Sequence, residues 1–179
     1  MQRQVSTIMN ELLKIFPRYE FEKLENTHGS NRYIKYFSGW QQLITLLFAQ
    51  AGYKDSLREI ETSLKVHYSK WYHIGLKNIK RSTLSDAMNR RDYRIFEGIF
   101  YRLLDQCKSV TPKHKFRFKN PLYSLDSTTI ELCLSLFPWA RFRKRKGAIK
   151  LHYLLDHSGT LPSFMTMTDG KHHDIRVAR

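Results

Sequence analysis

The apolar residues of this chain change their spacing once, and that change limits what it can fold into. Up to Cys107 they recur every three or four residues, the period of helix faces; beyond Pro121 they run in short strand-like blocks. A chain with the two periods in separate halves is expected to be α+β. The division reads as a helical domain over residues 1–110, a linker over 111–120, and a strand-rich domain over 121–179. Pro112 and the alternating Lys113, Lys115, Arg117 and Lys119, with no apolar stripe among them, mark the linker. At 179 residues and 41% apolar, the chain has material for one good core or two small ones.

In the first half, Val5, Ile8, Met9, Leu12, Leu13 and Phe16 fall on one helix face, and Pro17 ends the run. Residues 18–36, polar and aromatic around Gly29-Ser30-Asn31, read as a loop. Ser38 is expected to cap a central helix whose inner stripe is Trp40, Leu43, Ile44, Leu47 and Phe48, with Gly52 as its stop. Ser56 with Glu59 fits a capping box, opening a helix with Leu57, Ile60, Leu64 and His67 inward. Residues 71–76 read as a turn holding Gly75. A short helix follows over 80–90, capped by Ser82 or Thr83, and a last one over 92–107 buries Ile95, Phe96, Ile99, Phe100, Leu103 and Leu104.

The second half opens with Leu122-Tyr123-Ser124-Leu125-Asp126, a strand that Pro121 can start, with Asp126 at its end before a Ser-Thr-Thr turn. Residues 148–156 and 161–168 read as two further strands joined by the turn 157–160, an antiparallel hairpin. Ile175 begins a helix stub with Asp174 as its cap. Asp126 admits two readings: a rigidly held oxygen ligand for a divalent cation, or a turn residue feeding the amides after it. Two metals roughly 4 Å apart can drive phosphoryl transfer, but one carboxylate cannot hold them.

Charge narrows the partner. Lys and Arg exceed Asp and Glu by 15, an excess that fits a polyanion: nucleic acid or an anionic membrane. The longest apolar stretch, residues 43–51, is too short to span a bilayer, and residues 1–7 lack the apolar core of a signal peptide, so DNA and a cytoplasmic setting are the expectation. Two cysteines, Cys107 and Cys133, frame neither a disulfide scaffold nor a zinc finger. The helix over 56–67, the Gly-containing turn and the short helix together resemble a helix-turn-helix arrangement. That arrangement would set Lys80, Arg81, Arg90 and Arg91 against phosphates and Ser82, Thr83, Ser85 and Asn89 near base edges. The alternative is an ordinary helical bundle whose polar face happens to be basic, a common arrangement. The densest basic run, Arg141, Arg143, Lys144, Arg145 and Lys146, reads as a loop between strands that contacts DNA phosphates.

Residues Tyr123-Ser124-Leu125-Asp126-Ser127-Thr128-Thr129-Ile130, then Leu136-Phe137-Pro138-Trp139-Ala140 and Gly147-Ala148-Ile149-Lys150-Leu151-His152, are similar to the start of a known catalytic domain. It is that of bacterial insertion-sequence transposases of the DDE type, in the group carrying a Tyr-Arg-Glu-Lys signature. Ser56-Leu57-Arg58-Glu59-Ile60-Glu61 and Arg81-Ser82-Thr83-Leu84-Ser85-Asp86-Ala87 resemble the helical domain that precedes catalysis in one branch of that family. The resemblance implies a ribonuclease-H-like mixed sheet, here incomplete, with its first three strands and a helix stub. It also implies that Asp126 is the first catalytic, metal-binding carboxylate. The complete enzyme would use Mg²⁺ or Mn²⁺ to hydrolyse a phosphodiester at an element end and join the freed 3′-hydroxyl to target DNA. The family's second Asp and its Glu have no counterpart up to Arg179. The chain is therefore expected to be an amino-terminal portion, binding element-end and target DNA near the nucleoid without catalysis or stably bound metal. Self-association stays open, and the alternative is a stand-alone DNA-binding protein that represses its own element.

Overall fold

The computed structural model describes residues 8–112, 120, 122–132, 141–143, 146–157 and 161–177. Several expectations fall outside them: Val5 in the first helix, the linker residues 113–119, Pro121, Cys133, Phe137, Pro138 and Trp139, Lys144 and Arg145, and the turn residues 158–160. The chain divides into two compact units, with the division at Leu103/Leu104.

The first unit is helical. Helix α1 (Ile8–Ile15) stops at Pro17, which cannot donate to its ladder. Pro17 then stands at the start of α2 (Arg18–Thr27), in the stretch expected to be a loop. Phe21 and Glu25 are buried one turn apart on its inner side, and Gly98 receives Leu24 so closely that an added Cβ would lie 2.8 Å from it. That two-turn stripe, diluted by the polar residues around it, is what the sequence pattern hid.

Helix α3 (Gly39–Ala51) begins as expected, with a reciprocal cap. Ser38 Oγ accepts from the Gln41 amide and Gln41 Oε1 accepts from the Ser38 amide. Gln41 Nε2 also donates to the Gly75 carbonyl at 2.9 Å, tying this helix start to a remote turn. Gly75 has φ +71°, a left-handed conformation that suits glycine. α3 is the shared wall of two apolar clusters. Ile44, with Phe37, Ile60, Leu64, Trp71, Ile74, Ile79 and Leu84, builds one. Leu43 joins Phe21, Ile95 and Ile99 in the other, and Trp40 packs against both. Phe48 and Trp71 meet edge to face at 4.6 Å, and the indole N–H of Trp71 donates to the Leu64 carbonyl.

Helix α4 (Leu57–Val66) is capped by Ser56, whose hydroxyl accepts from the Glu59 amide; Glu59 returns its carboxylate to the Asp55 amide and Lys54 rather than to Ser56. His67, expected inward, is exposed, with Nδ1 on the Ser63 carbonyl. The short α5 (Tyr68–Trp71) and a 3₁₀ turn (Tyr72–Ile74) fill the segment expected to be a plain turn. Helix α6 (Arg81–Arg90) starts without the expected cap: Lys80 holds the cap position, and Ser82 and Thr83 lie inside the first turn. The Arg81 amide instead donates to the Glu61 carboxylate of α4 at 3.0 Å. α7 (Arg94–Val110) follows, its amide at Arg94 held by Asp92.

The second unit centres on a four-stranded antiparallel sheet. β1 (Tyr123–Leu132) pairs along its whole length with β3 (Lys146–Asp156), from Tyr123↔Asp156 to Leu132↔Gly147. The other edge of β3 carries β4 (Leu161–Asp169) and the short β2 (Arg141–Arg143). β3–β4 is the expected hairpin. The basic run, expected to be a loop, instead supplies β2 and the start of β3. Helix α8 (Asp174–Val177) packs on β1. The α+β class read from the change of period is what the structure shows.

Candidate functional site

Asp126 does not end its strand. Thr128, Thr129 and Ile130 are β-branched residues that favour extended backbone, and β1 runs through them to Leu132. Asp126 is therefore a mid-strand residue opposite Tyr153. Its Oδ2 accepts from the Tyr153 hydroxyl at 2.7 Å and its Oδ1 from the Ser127 amide at 2.8 Å. These bonds, the tyrosine's first, hold its carboxyl below the ordinary aspartate range, against a smaller opposing push from the Asp174 charge; Tyr153 is raised in return. The side chain is exposed. On the same sheet face Ile130, Met165 and Met167 are 42%, 48% and 58% exposed, an apolar surround open to solvent.

The opposite face carries a second polar group. Ser127 pairs with His152, which is fully buried. His152 Nε2 lies 2.8 Å from Thr168 Oγ1, and its Nδ1 lies 3.2 Å from Asp174 Oδ1 without the alignment of a hydrogen bond. The Ser127 hydroxyl bonds to Asp174, and Lys150 Nζ is 3.5 Å from the same carboxylate; these contacts, Ser127 first, keep Asp174 low. Asp174, expected to cap the helix stub, instead uses its carboxylate to hold α8 to the sheet. Asp169 behaves as a turn residue, accepting from the Lys171 amide and facing His172 Nδ1 at 2.7 Å.

Among the described residues, no group of three or more His, Cys, Asp or Glu side chains is arranged to hold a metal ion. Asp126 offers an ionised oxygen donor of the right chemistry, but Tyr153 and Ser127 already engage it, and Asp174, whose charge it feels, is itself bonded to Ser127 and Lys150. The residues described do not by themselves fit a divalent pair.

The other residues singled out by sequence are placed as follows. On α6, Arg81, Ser82, Thr83, Asn89 and Arg90 are exposed, and Leu84 turns in toward the core, so the helix presents a continuous polar face. Lys80 is exposed just before it. Arg90 pairs with Asp86 at 3.5 Å across the surface. Arg91 differs from its neighbours. Its guanidinium donates to Gln42 Oε1 at 2.6 Å and to the Phe37 carbonyl, and sits over the Phe37 ring. Burial lowers its pKa, with Glu25 opposing that effect. Glu25 is buried as well; desolvation raises it, while bonds from Asn31 and the Trp40 and Gly39 amides oppose the rise. Arg141, Arg143 and Lys146 lie on β2 and at the start of β3. The link between α4 and α6, residues 67–80, is longer than the three- or four-residue turn of a helix-turn-helix unit. α6 is held to α4 by the Glu61 carboxylate, not by a tight turn.

Sequence reasoning missed Tyr153, because strand identity does not reveal register. It also missed the amino end of α4, where Ser56 and Arg58 flank an open cleft of about 550 Å³ whose far side is Arg81, Ser82 and Ser85.

No helix among the described residues is long and apolar enough to cross a membrane. Residues 4–77 match a family model described as a domain of unknown function, DUF4372. No solved structure matches the chain. The chain is 26% identical, over 147 residues, to a protein of Geobacillus stearothermophilus named as a probable transposase for insertion sequence element IS5377. That alignment covers 73% of this chain and 39% of the relative, so the chain spans about two fifths of the length of the insertion-sequence protein it is similar to.

Proposed function

We propose that this chain is part of an insertion-sequence transposase: its helical unit binds DNA, and its sheet is the founding part of a DDE-type, ribonuclease-H-like catalytic domain. The observation that carries the reading is the likeness to a named transposase extending over most of the chain, Asp126 standing on the first strand of the sheet. A net charge of +15 and the polar face of α6 supply the electrostatic term that binds duplex DNA. Lys80, Arg81 and Arg90 contact phosphates, Ser82 and Thr83 lie nearest the bases, and the basic run Arg141, Arg143, Lys144, Arg145 and Lys146 adds a second contact to phosphates. Arg91 serves this surface from behind, fixing the end of α6 against Phe37 and Gln42.

In this reading Asp126 is one carboxylate of a metal-binding set that, in the complete enzyme, holds Mg²⁺ or Mn²⁺ for phosphodiester hydrolysis and strand transfer. As an exposed aspartate it is ionised at neutral pH, the form a cation needs, and the Tyr153 and Ser127 bonds favour that form further. The 179 residues alone bind DNA without nicking it. The test is incubation of the purified chain with element-end duplex and Mg²⁺ or Mn²⁺, followed by strand analysis on a denaturing gel. Binding that weakens steeply with salt and leaves the strands intact is expected; metal-dependent nicking that Asp126→Ala abolishes would overturn the claim of inactivity. Failure to bind any duplex at low salt would overturn the transposase reading of the helical unit.

A further inference from the structure

The cleft between the amino ends of α4 and α6 has a composition that the packing of the helical unit does not require. Its lining is Ser56, Leu57, Arg58, Arg81, Ser82 and Ser85: two guanidinium groups, three hydroxyls and one apolar residue. Arg58 and Arg81 are both exposed, and among the described residues neither guanidinium closes an ion pair. The neighbouring acid, Glu61, is already occupied: Lys65 Nζ lies 2.8 Å from its Oε1 and the Arg81 amide donates to its Oε2. Those two bonds, Lys65's first, hold Glu61 below the ordinary range, and Arg81 adds a further lowering from its charge alone. The two arginines thus face the opening with no carboxylate in the lining to neutralise them.

The helix ends agree with this. Ser56 caps α4, but Lys80 gives α6 no side-chain acceptor, so beyond Arg81 the first-turn amides of α6 have none from their own cap. Helix amino ends carry partial positive charge and suit anions, and here two of them border one cleft that also holds two arginines. A guanidinium fork with neighbouring hydroxyls matches the oxygens of a phosphate rather than an apolar ligand.

We propose that this cleft seats a backbone phosphodiester of duplex DNA, with Arg58 and Arg81 as its two charged contacts and Ser56, Ser82 and Ser85 as hydroxyl donors. The proposal rests on the DNA-binding reading above and goes beyond it by assigning Arg58 and Ser56 and by moving Ser82 and Ser85 from the base edges to a phosphate. It also gives the cleft a definite role, that of fixing where α6 lies along the duplex. A phosphate anchor sets register without reading sequence, leaving the exposed Thr83 and Asn89 of α6 to meet bases.

The experiment uses the full chain and fluorescence anisotropy with two duplexes of unrelated sequence, each titrated over a series of NaCl concentrations. Arg58→Ala and Arg81→Ala are surface changes, and circular dichroism verifies that they fold. Each is expected to weaken binding of both duplexes alike and to reduce the slope of log affinity against log salt by about 0.9, the double variant by about twice that. Arg81→Lys should keep the slope, and Ser85→Leu, which fills the cleft without changing charge, should weaken binding of both duplexes. Arg32→Ala, outside the cleft, gives the change expected of an uninvolved surface arginine. Wild-type binding with slopes unchanged in both cleft variants would overturn this assignment and leave the DNA-binding reading standing. A loss confined to one duplex would also overturn it, in favour of base contact. No wild-type binding at low salt would remove both.

Discussion

The exposed carboxylate of Asp126 is set by a single neighbour more than by its surroundings. Its proton affinity falls because Tyr153 donates to the ionised form, and the strand register places that hydroxyl directly across. Removing the hydroxyl with Tyr153→Phe should raise the Asp126 pKa back toward the ordinary aspartate value, as followed by carboxyl ¹³C shifts in an NMR titration. A depressed folded-state pKa contributes stability that is present above the unfolded value of about 3.9 and is lost as pH falls through the folded one. The variant should lose that contribution, so its acid unfolding should depend less steeply on pH near the bottom of the carboxylate range. An unmoved Asp126 titration would show that the tyrosine bond does not govern it. Asp92 illustrates the same physics at a helix start, held at about 2 chiefly by the Arg94 side chain. At this scale the sequence was a partial guide. Asp126 was visible as a residue worth notice, but Tyr153, His152 and Gln42 were not, because a buried polar group is recognised by its partners and partners depend on register and packing.

Elements were legible where the pattern was strong and local. Ser38 before Trp40, Leu43, Ile44 and Leu47 forecast α3 with its cap, and the reciprocal bonds with Gln41 form as that spacing requires. Replacing Ser38 with Ala should cost ~1 kcal/mol, measured as a shift in urea midpoint at constant slope. Gln41 also reaches Gly75, so the loss should include a looser turn after Ile74, seen as faster amide exchange at Gly75 and Leu76. No change in midpoint would mean the cap is redundant with the Glu25 and Asn31 bonds to the following amides. Elements were illegible where tertiary contacts override local signals. Ser82 and Thr83 look like caps, yet burial of Ile79 and Leu84 starts the helix earlier and Glu61 supplies the acceptor. The Ser-Thr-Thr after Asp126 resembles a turn in isolation, but with β3 alongside it the β-branched side chains extend the strand. α2 was hidden because one face needs only Phe21, Leu24 and Glu25 to dock, and one of those is a charged residue.

For the whole molecule, the change of hydrophobic period separated helices from strands, and the structure keeps that separation. The compact units divide at Leu103/Leu104, inside α7, whereas the residue pattern marks its own boundary only after Val110, where helical spacing stops. A periodicity cannot show where contacts change, because a helix can carry one stripe across two neighbourhoods. The pairing order of the sheet was also beyond reach. Two strands joined by a short turn announce a hairpin, but nothing local says that the most distant strand, β1, lies along the far edge of β3.

That pairing has a consequence in time. Only residues 157–160 separate β3 from β4, which can zip from that end, while Asp126 must find Tyr153 across 27 positions of chain. Closing the longer loop costs more entropy before any bond repays it, so the hairpin should form first and β1 should dock late. Pulse-labelled amide exchange during refolding should then protect β3 and β4 before β1; simultaneous protection of all three would rule this order out. A chain refolding from the unfolded state would thus hold Tyr153 in the hairpin before β1 brings Asp126 to accept from its hydroxyl.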